Sequence, residues 1–408
     1  KRPPLNAGPA ADSSHGVGED GAPPFANDVS STLVVELPPV ALTDAPTYRV
    51  PEEEPQARRA LREVDLSGLP EPDPAQALLR LLQSPSVVSK RPIYTQYDHM
   101  VQLRTVLPPG GDAAVLRLLE APPRGIALSV DGSGRISYLD PWAGGAAAVC
   151  EATLNVACVG AKPVAITDGL NLGNPERPEV AWELAGVVDG IAEACRVLQV
   201  PVVGGNVSLY NESERGAVYP TPVVVCLGVM EDVTRTVGTG FAAAGDVVAL
   251  VGSDRVSLGG SEYLRVVHGK VAGTPVRPDL VLHRRLLDVL ARAAEGGMLR
   301  SSHDISEGGL AVALAEACVA GGIGARCTLS PEFFGTRADL ALFGEGPSRV
   351  LVSVPPERYE AFAELCARAG VPLRLLGYVG GDQLQLRLPD GEVIVPVAEL
   401  RSAWEAYR

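Results

Sequence analysis

The stretch that most constrains this chain is a long amphipathic helix signal held between two short apolar runs, each ending in glycine and polar residues. PVAITDG at 163–169 reads as a buried strand that carries Asp168 at its end. In RPEVAWELAGVVDGIAEACRVL, Pro178 suits a first helical turn, and Val180, Leu184, Val187, Val188, Ile191, Cys195 and Leu198 recur at helical spacing. Glu179, Glu183, Asp189, Glu193 and Arg196 occupy the other face. VPVV at 200–203 is again a short buried strand, and GGNVSLYN follows it. A strand, a helix of about five turns and a second strand give a parallel pair, because only such a crossover returns the chain in the same direction. Asp168 and Asn206 then lie at one sheet edge.

The alternation extends over the rest of the chain. IALSVDGSGRISYLD at 126–140 reads as two strands joined by a glycine-rich turn, and GGAAAVCEATLNVACVGA at 144–161 as a small-residue helix ending at Gly160. YPTPVVVCLGVMED at 219–232 is a further strand. From about Arg235 a second domain is expected, with GDVVALVG (245–252), a helical region at 278–295, the helix EGGLAVALAEACVA (307–320), the strand RVLVSV (349–354), a helix at 356–369 and strands near 372–395. This order indicates an α/β (α+β) fold in two domains, consistent with 408 residues. Residues 1–30 lack the apolar content to offset ordering entropy and read as a disordered tail. STLVVELPPVAL at 31–42 suggests a strand closed by Pro38 and Pro39, and helices are expected around 55–64 and 74–83. Residues 396–408 read as a C-terminal helix or tail.

Composition narrows the partners. The formal net charge of -14 would repel a polyphosphate backbone or an anionic membrane, so no nucleic acid and no membrane is expected as partner, and any phosphate site must be local. Seven cysteines, at 150, 158, 195, 226, 318, 327 and 366, show no C-x-x-C spacing; five lie inside apolar runs and read as small buried hydrophobes, and a reducing, cytoplasmic setting is expected. No apolar run reaches the length of a membrane span, and no signal-peptide pattern opens the chain.

Three places put glycines beside polar residues near apolar strands: TDGLNLGNPE at 167–176, GGNVSLYN at 204–211 and LFGEGPSRVLVSV at 342–354. Glycine lets backbone N–H groups approach an anion, and Asp168 and Asn206 supply the hard oxygens that magnesium prefers. Each has a structural alternative. G-G-N and Asp168–Gly169 are also ordinary turn sequences. In SHDISEGG, Asp304 and Glu307 have the spacing of a capping box, and His99 and His303 read as hydrogen-bonded structural histidines.

TDGLNLGNPERPEVAWE, GIAEAC and PVVGGNVSLYNES closely resemble the synthetase subunits of the phosphoribosylformylglycinamidine synthase family. KRPIYTQYDHMVQ, DPWAGGAAAV, SHDISEGGLAVALAEAC and LFGEGPSRVLVSV resemble the same family in the same order. The likeness runs from about residue 31 to the C-terminus and covers only half of the family's pattern. Members carry two tandem copies of an aminoimidazole-ribonucleotide-synthetase-like pair of domains, and this chain resembles the second copy. The resemblance implies a remnant of the preceding repeat with a connector at 31–89, an A-type domain at 90–233 whose sheet pairs with its partner copy into a barrel, and a B-type domain at 234–395.

The activity implied is that of a C–N ligase of purine biosynthesis with glutamine as amido-N donor. ATP phosphorylates the amide oxygen of formylglycinamide ribonucleotide, and ammonia displaces the phosphate to give the amidine, ADP and phosphate. ATP and Mg2+ are the implied cofactors. Carried over by position, Asp168 and Gly205 resemble the family's ATP contacts, Asn206 its magnesium ligand and Ser208 a substrate contact. The family's catalytic histidines belong to the first copy, so no catalytic residue is expected here. The implied partners are the missing first-half synthetase domains, a glutaminase subunit and a small accessory subunit. Leu154 departs from the arginine common at its position. The competing readings are a nucleotide-holding scaffold half and another ATP-dependent kinase or synthetase of the superfamily.

Overall fold

The computed structural model describes residues 36–44, 49–330 and 337–406. They belong to two units, Lys1–Arg49 and Val50–Arg408. The expected tail at 1–30 and the first residues of the expected strand, 31–35, lie outside the described residues. Within the first unit, Pro39 takes the N-cap position of a short helix, α1 (Val40–Thr43), where the end of that strand was expected.

The second unit opens with α2 (Gln56–Arg62), α3 (Pro74–Leu82), whose N-cap Asp73 accepts from Gln76 N at 2.9 Å, and α4 (Arg91–Tyr94). A first sheet begins with β1 (Thr105–Leu107), β2 (Ala114–Arg117) and β3 (Gly125–Asp131). The hairpin expected across DGSG does not form. Ser133 instead caps α5 (Gly134–Leu139), and Asp140, followed by Pro141 in the first turn, caps α6 (Pro141–Cys158). Then come β4 (Lys162–Asn171), the crossover helix α7 (Pro178–Leu198), β5 (Val202–Ser208), a small hairpin of β6 (Glu212–Ser213) and β7 (Gly216–Ala217), and β8 (Thr221–Met230). The sheet order is β1-β2-β3-β8-β4-β5, with only β4 and β5 parallel, as the crossover requires.

One face of this sheet is closed by α6, which is buried almost all round and packs on β3, β8 and α7. Close approach of the two helices depends on glycine: a Cβ at Gly145 would overlap Val187 O, and one at Gly190 would overlap Trp142 O. Val224, Cys226 and Met230 of β8 are buried. The alternate residues Val223, Val225, Leu227 and Val229 are only half-buried; Leu128 and Val130 of β3 pair with Leu227 and Val225, and Val130 is 63% exposed. The edge strand β5 exposes Val203 at 71%. An apolar sheet face left this open is the signature of a surface made to be covered.

The second sheet takes its strands from β9 (Val247–Gly252) onward. After α8 (Glu262–His268) and α9 (Leu280–Glu295) come β10 (Ser301–Asp304), α10 (Gly309–Gly321), β11 (Ala325–Thr328), α11 (Ala338–Phe343), β12 (Arg349–Val354) and α12 (Pro356–Ala369). The chain closes with β13 (Leu373–Val379), β14 (Gln383–Leu388), β15 (Gly391–Pro396) and α13 (Val397–Trp404). The order is β10-β12-β9-β13-β11-β14-β15, antiparallel except for β11 with β14. β9 and β12 are buried on both faces: Ala249, Val251, Val350 and Val352 join a core shared with α6 and α9, while Val248, Leu250 and Leu351 join one built with α10. No helix among the described residues is long and apolar enough to cross a membrane.

α3 belongs to that second core, with Leu78, Leu81 and Leu82 buried against α8, α10 and α13. Sequence composition gave this segment no such role. Replacing Leu78 by Ala should therefore lower unfolding free energy by about 2–5 kcal/mol, as for other fully buried leucines. A urea unfolding curve measures this, and a loss below about 1 kcal/mol would mean that α3 is only a tether.

Candidate functional site

β4 and β5 run side by side with Asp168 opposite Gly205, Gly169 opposite Asn206, and Asn171 opposite Ser208. The residues expected at strand ends thus lie inside strands, which continue to Asn171 and Ser208. Gly205 serves close approach rather than a turn. A Cβ at Gly205 would overlap Asp168 Oδ1 and sit 3.2 Å from Asp168 Cγ, so the carboxyl rests directly over the Gly205 backbone. Burial pushes the Asp168 carboxyl above the ordinary carboxylate range. Asn206 is exposed and Ser208 half-buried. The fold brings all four expected residues, Asp168, Gly205, Asn206 and Ser208, onto one parallel pair at the sheet edge.

The segments after these strands form one clasp. Leu172 N donates to Ser208 O at 3.0 Å, Tyr210 N to Gly173 O at 2.9 Å and Asn211 N to Leu172 O at 3.1 Å. Glu212 Oε1 accepts from Asn174 N at 2.9 Å and Arg177 Nη1 at 3.3 Å. Side chains alternate along a strand, so Asp168, opposite Gly205 and the buried Val224, lies on the helix-covered face, whereas Asn206 and Ser208 lie on the open face. Asn206 offers an oxygen that suits magnesium, whose octahedral shell would need further oxygens from phosphate, water or another polypeptide.

A second cluster lies in the cleft between the two sheets, where the sequence suggested a helix cap. Asp304 ends β10, and α10 starts only at Gly309, with Gly308 at its N-cap in a left-handed conformation (φ +83°) and no side-chain cap. Glu345 Oε1 accepts from Gly308 N and from Glu262 N, both at 2.8 Å. The expected capping box of Asp304 and Glu307 is therefore absent. Both residues line a cavity of about 80 Å³ together with Glu151 and Leu154 of α6, Ile136 and Glu345.

The charges in this cleft are poorly matched. Burial, against the hydrogen bond from Asn155 Nδ2 at 3.0 Å, pushes Asp131 up to about 7, with Glu307 and Asp112 adding repulsion. Burial and Glu307 likewise raise Glu345 to about 8 and Glu151 well above the usual range, and burial with the nearby Asp112 does the same for Asp304. His303 lies 2.6 Å from Asp112 Oδ1 through Nδ1 and 3.2 Å from Glu316 Oε2 through Nε2. Burial opposes its charge, but the two carboxylates outweigh it and raise the imidazole well above its ordinary value.

Asp112, His303 and Asp304 form a hydrogen-bonded ion-pair network whose ligand atoms also lie close enough together to hold a metal ion. His303 is thus the hydrogen-bonded histidine that the sequence suggested; the half-buried His99 has Nδ1 3.3 Å from Tyr97 O. Asn155 Oδ1 is buried with no partner. Its Nδ2 donates to Asp131 Oδ2 at 3.0 Å. Sequence reading missed Asp112, Asp131, Glu151, Asn155 and Glu345 because separate segments contribute them, with no spacing to betray the cluster.

Two family models match: AIR synthase related protein, N-terminal domain, over residues 110–230, and AIR synthase related protein, C-terminal domain, over residues 243–388. The chain is 48% identical over 386 residues to phosphoribosylformylglycinamidine synthase subunit PurL of Anaeromyxobacter dehalogenans, covering 91% of this chain and 50% of that protein. It is 47% identical over 358 residues to the same subunit of Moorella thermoacetica, covering 87% and 48%. The chain thus spans about half the length of the curated relatives it matches. Its fold resembles that of T. maritima PurL complexed with FGAR, with a TM-score of 0.65 at 19% identity, covering 81% of this chain and 54% of that one.

The cleft sets a pH dependence. Asp131 and Glu345 bind protons more tightly in the folded chain than in the unfolded one, so their stabilisation is complete below about pH 4 and is lost as pH rises through about 7 to 8. In chelator, the melting temperature should fall by several degrees between about pH 6 and pH 8.5. Millimolar Mg2+ should recover it at the higher pH, and Asp131→Asn should flatten the fall. A melting temperature at pH 8.5 indifferent to Mg2+ would rule out cation binding in the cleft.

Proposed function

This chain belongs to the AIR synthase related family, and from that premise we propose that it is the second half of an ATP-dependent phosphoribosylformylglycinamidine synthase. The observation that carries the reading is the register of β4 with β5, which sets the Asp168 carboxyl over the Gly205 backbone and puts Asn206 and Ser208 on the open face of the same strand. In this reading Asp168 and the Gly205 backbone face ATP, Asn206 is a ligand to Mg2+, and Ser208 meets formylglycinamide ribonucleotide. When bound, the magnesium ion neutralises charge on a transferring phosphoryl group. The chain's own part is to hold and orient. Asp168 fixes the nucleotide side of the edge, and the clasp through Asn211 and Glu212 keeps Ser208 in place.

The open apolar face of the first sheet, with Val130 and Val203 exposed, supports a partner of matching architecture, the first-half domains. We assign glutamine, by way of a glutaminase subunit, as the ammonia source, with a small accessory subunit completing the assembly. The cleft favours a second reading, a scaffold half that holds a cation or nucleotide structurally, because its carboxylates are buried without enough counter-charge.

Mixing the chain with first-half domains, ATP, Mg2+, formylglycinamide ribonucleotide and ammonia should restore ADP release, while the chain alone should turn over at background. In the mixture, Asp168→Asn or Asn206→Ala should lower kcat/KM by roughly 100-fold, the size expected when one charge-stabilising contact is removed. Unchanged turnover with impaired assembly would instead support the scaffold.

A further inference from the structure

Asn211 lies three residues beyond Ser208, and its side chain is held by more partners than a turn needs. Nδ2 is 3.0 Å from Leu172 O and 2.9 Å from Ser208 O, so the two carbonyls fix which end of the amide is the nitrogen. The same Nδ2 is 3.1 Å from Ser208 Oγ, while Oδ1 is 3.3 Å from it. Preceding Asn211, Tyr210 sits in the left-handed region at φ 61°, a conformation costly for a bulky side chain and retained here by its N–H bond to Gly173 O.

We infer that Asn211 is a positioning residue for Ser208: one N–H of its amide bonds Leu172 O, and the other, shared between Ser208 O and Ser208 Oγ, holds the hydroxyl oxygen and leaves the hydroxyl proton to be presented to an acceptor oxygen of the substrate. This rests on the proposed role of Ser208 as a substrate contact. The chemistry is a matter of donor count. A hydroxyl has one proton and two lone pairs, so a neighbour that occupies a lone pair leaves the proton fewer directions and keeps it available as a donor. In the free chain that proton has only the long, weak contact with Asn211 Oδ1, which a phosphate or amide oxygen can replace at little cost. The left-handed turn at Tyr210 is what brings the Asn211 side chain back over Ser208 rather than out to solvent. The substrate class that fits is one with an exposed oxygen acceptor at the β5 edge, as a ribonucleotide phosphate provides.

The test is a double-mutant cycle in the mixture of this chain with first-half domains. Asn211→Ala should raise KM for formylglycinamide ribonucleotide about tenfold, the loss of about one hydrogen bond, with kcat within about twofold. Ser208→Ala should do the same, and the double variant should be no worse than Ser208→Ala alone, because Asn211 acts through that hydroxyl. Asn211→Ser, which keeps a short donor, should recover part of the loss and serves if Asn211→Ala folds poorly. Multiplying effects in the double variant would overturn the inference, as would a KM unchanged by either Asn211 substitution while Ser208→Ala raises it. If Ser208→Ala leaves KM unchanged, or the wild-type mixture neither turns over nor binds formylglycinamide ribonucleotide by calorimetry, the assignment of Ser208 falls and this inference with it.

Discussion

The close approach of the Asp168 carboxyl to the Gly205 backbone is the constraint on which the candidate site depends. Parallel strands sit at a fixed spacing, and any side chain at Gly205 would overlap Asp168 Oδ1, so either the strands would part or the carboxyl would turn away. Register follows from this point. With Asp168 opposite Gly205, Asn206 and Ser208 fall at the open end of the edge strand, and the clasp from Leu172 to Glu212 closes beyond them. The helix crossing beneath obeys a similar rule, since Gly145 and Gly190 let α6 and α7 touch backbone to backbone. Two glycine-dependent contacts therefore set the position of the sheet edge relative to the core.

The cleft between the sheets follows the opposite logic. There the packing collects Asp131, Glu151, Asp304, Glu307 and Glu345, and burial raises each of them. Arg135 opposes the effect at Glu307 and Glu345, but it is also paired with Glu262 at 3.0 Å. Buried carboxylates of this density stay only if protons or a cation balance them. Leu154 lines the same cavity and adds no counter-charge. The edge and the cleft thus place different demands on their ligands: the edge offers a few donors and needs the rest supplied, whereas the cleft has donors in excess.

What the sequence revealed depended on whether the signal was local. The strand RVLVSV, the helix at 356–369 and the α7 crossover carry their information in apolar spacing, and all three formed as read. The resemblance named Asp168, Gly205, Asn206 and Ser208, and the fold gathered them. Local signals misled where two motifs share a composition. DGSGRISYLD has the turn residues of a hairpin, yet Ser133 and Asp140 used them as helix caps. Asp304 and Glu307 have capping spacing, but the left-handed Gly308 starts the helix later. The cleft was illegible because its members are brought together by tertiary packing alone, as with Asp112 and His303.

The exposed apolar face and the incomplete ligand set at the edge have one physical explanation. Val223, Val225, Leu227 and Val229 alternate with buried residues along β8, so both faces of that strand are apolar, a pattern suited to a sheet covered on both sides. The helices bury one side. The other side opens beside the same β4–β5 edge and carries Asn206, which as the proposed magnesium ligand would supply only one oxygen of the shell. A polypeptide that covered the face would lie next to that edge and could complete the shell with its own oxygens. Covering the sheet and finishing the site would then be one event, which makes assembly itself the step that creates a competent ligand shell.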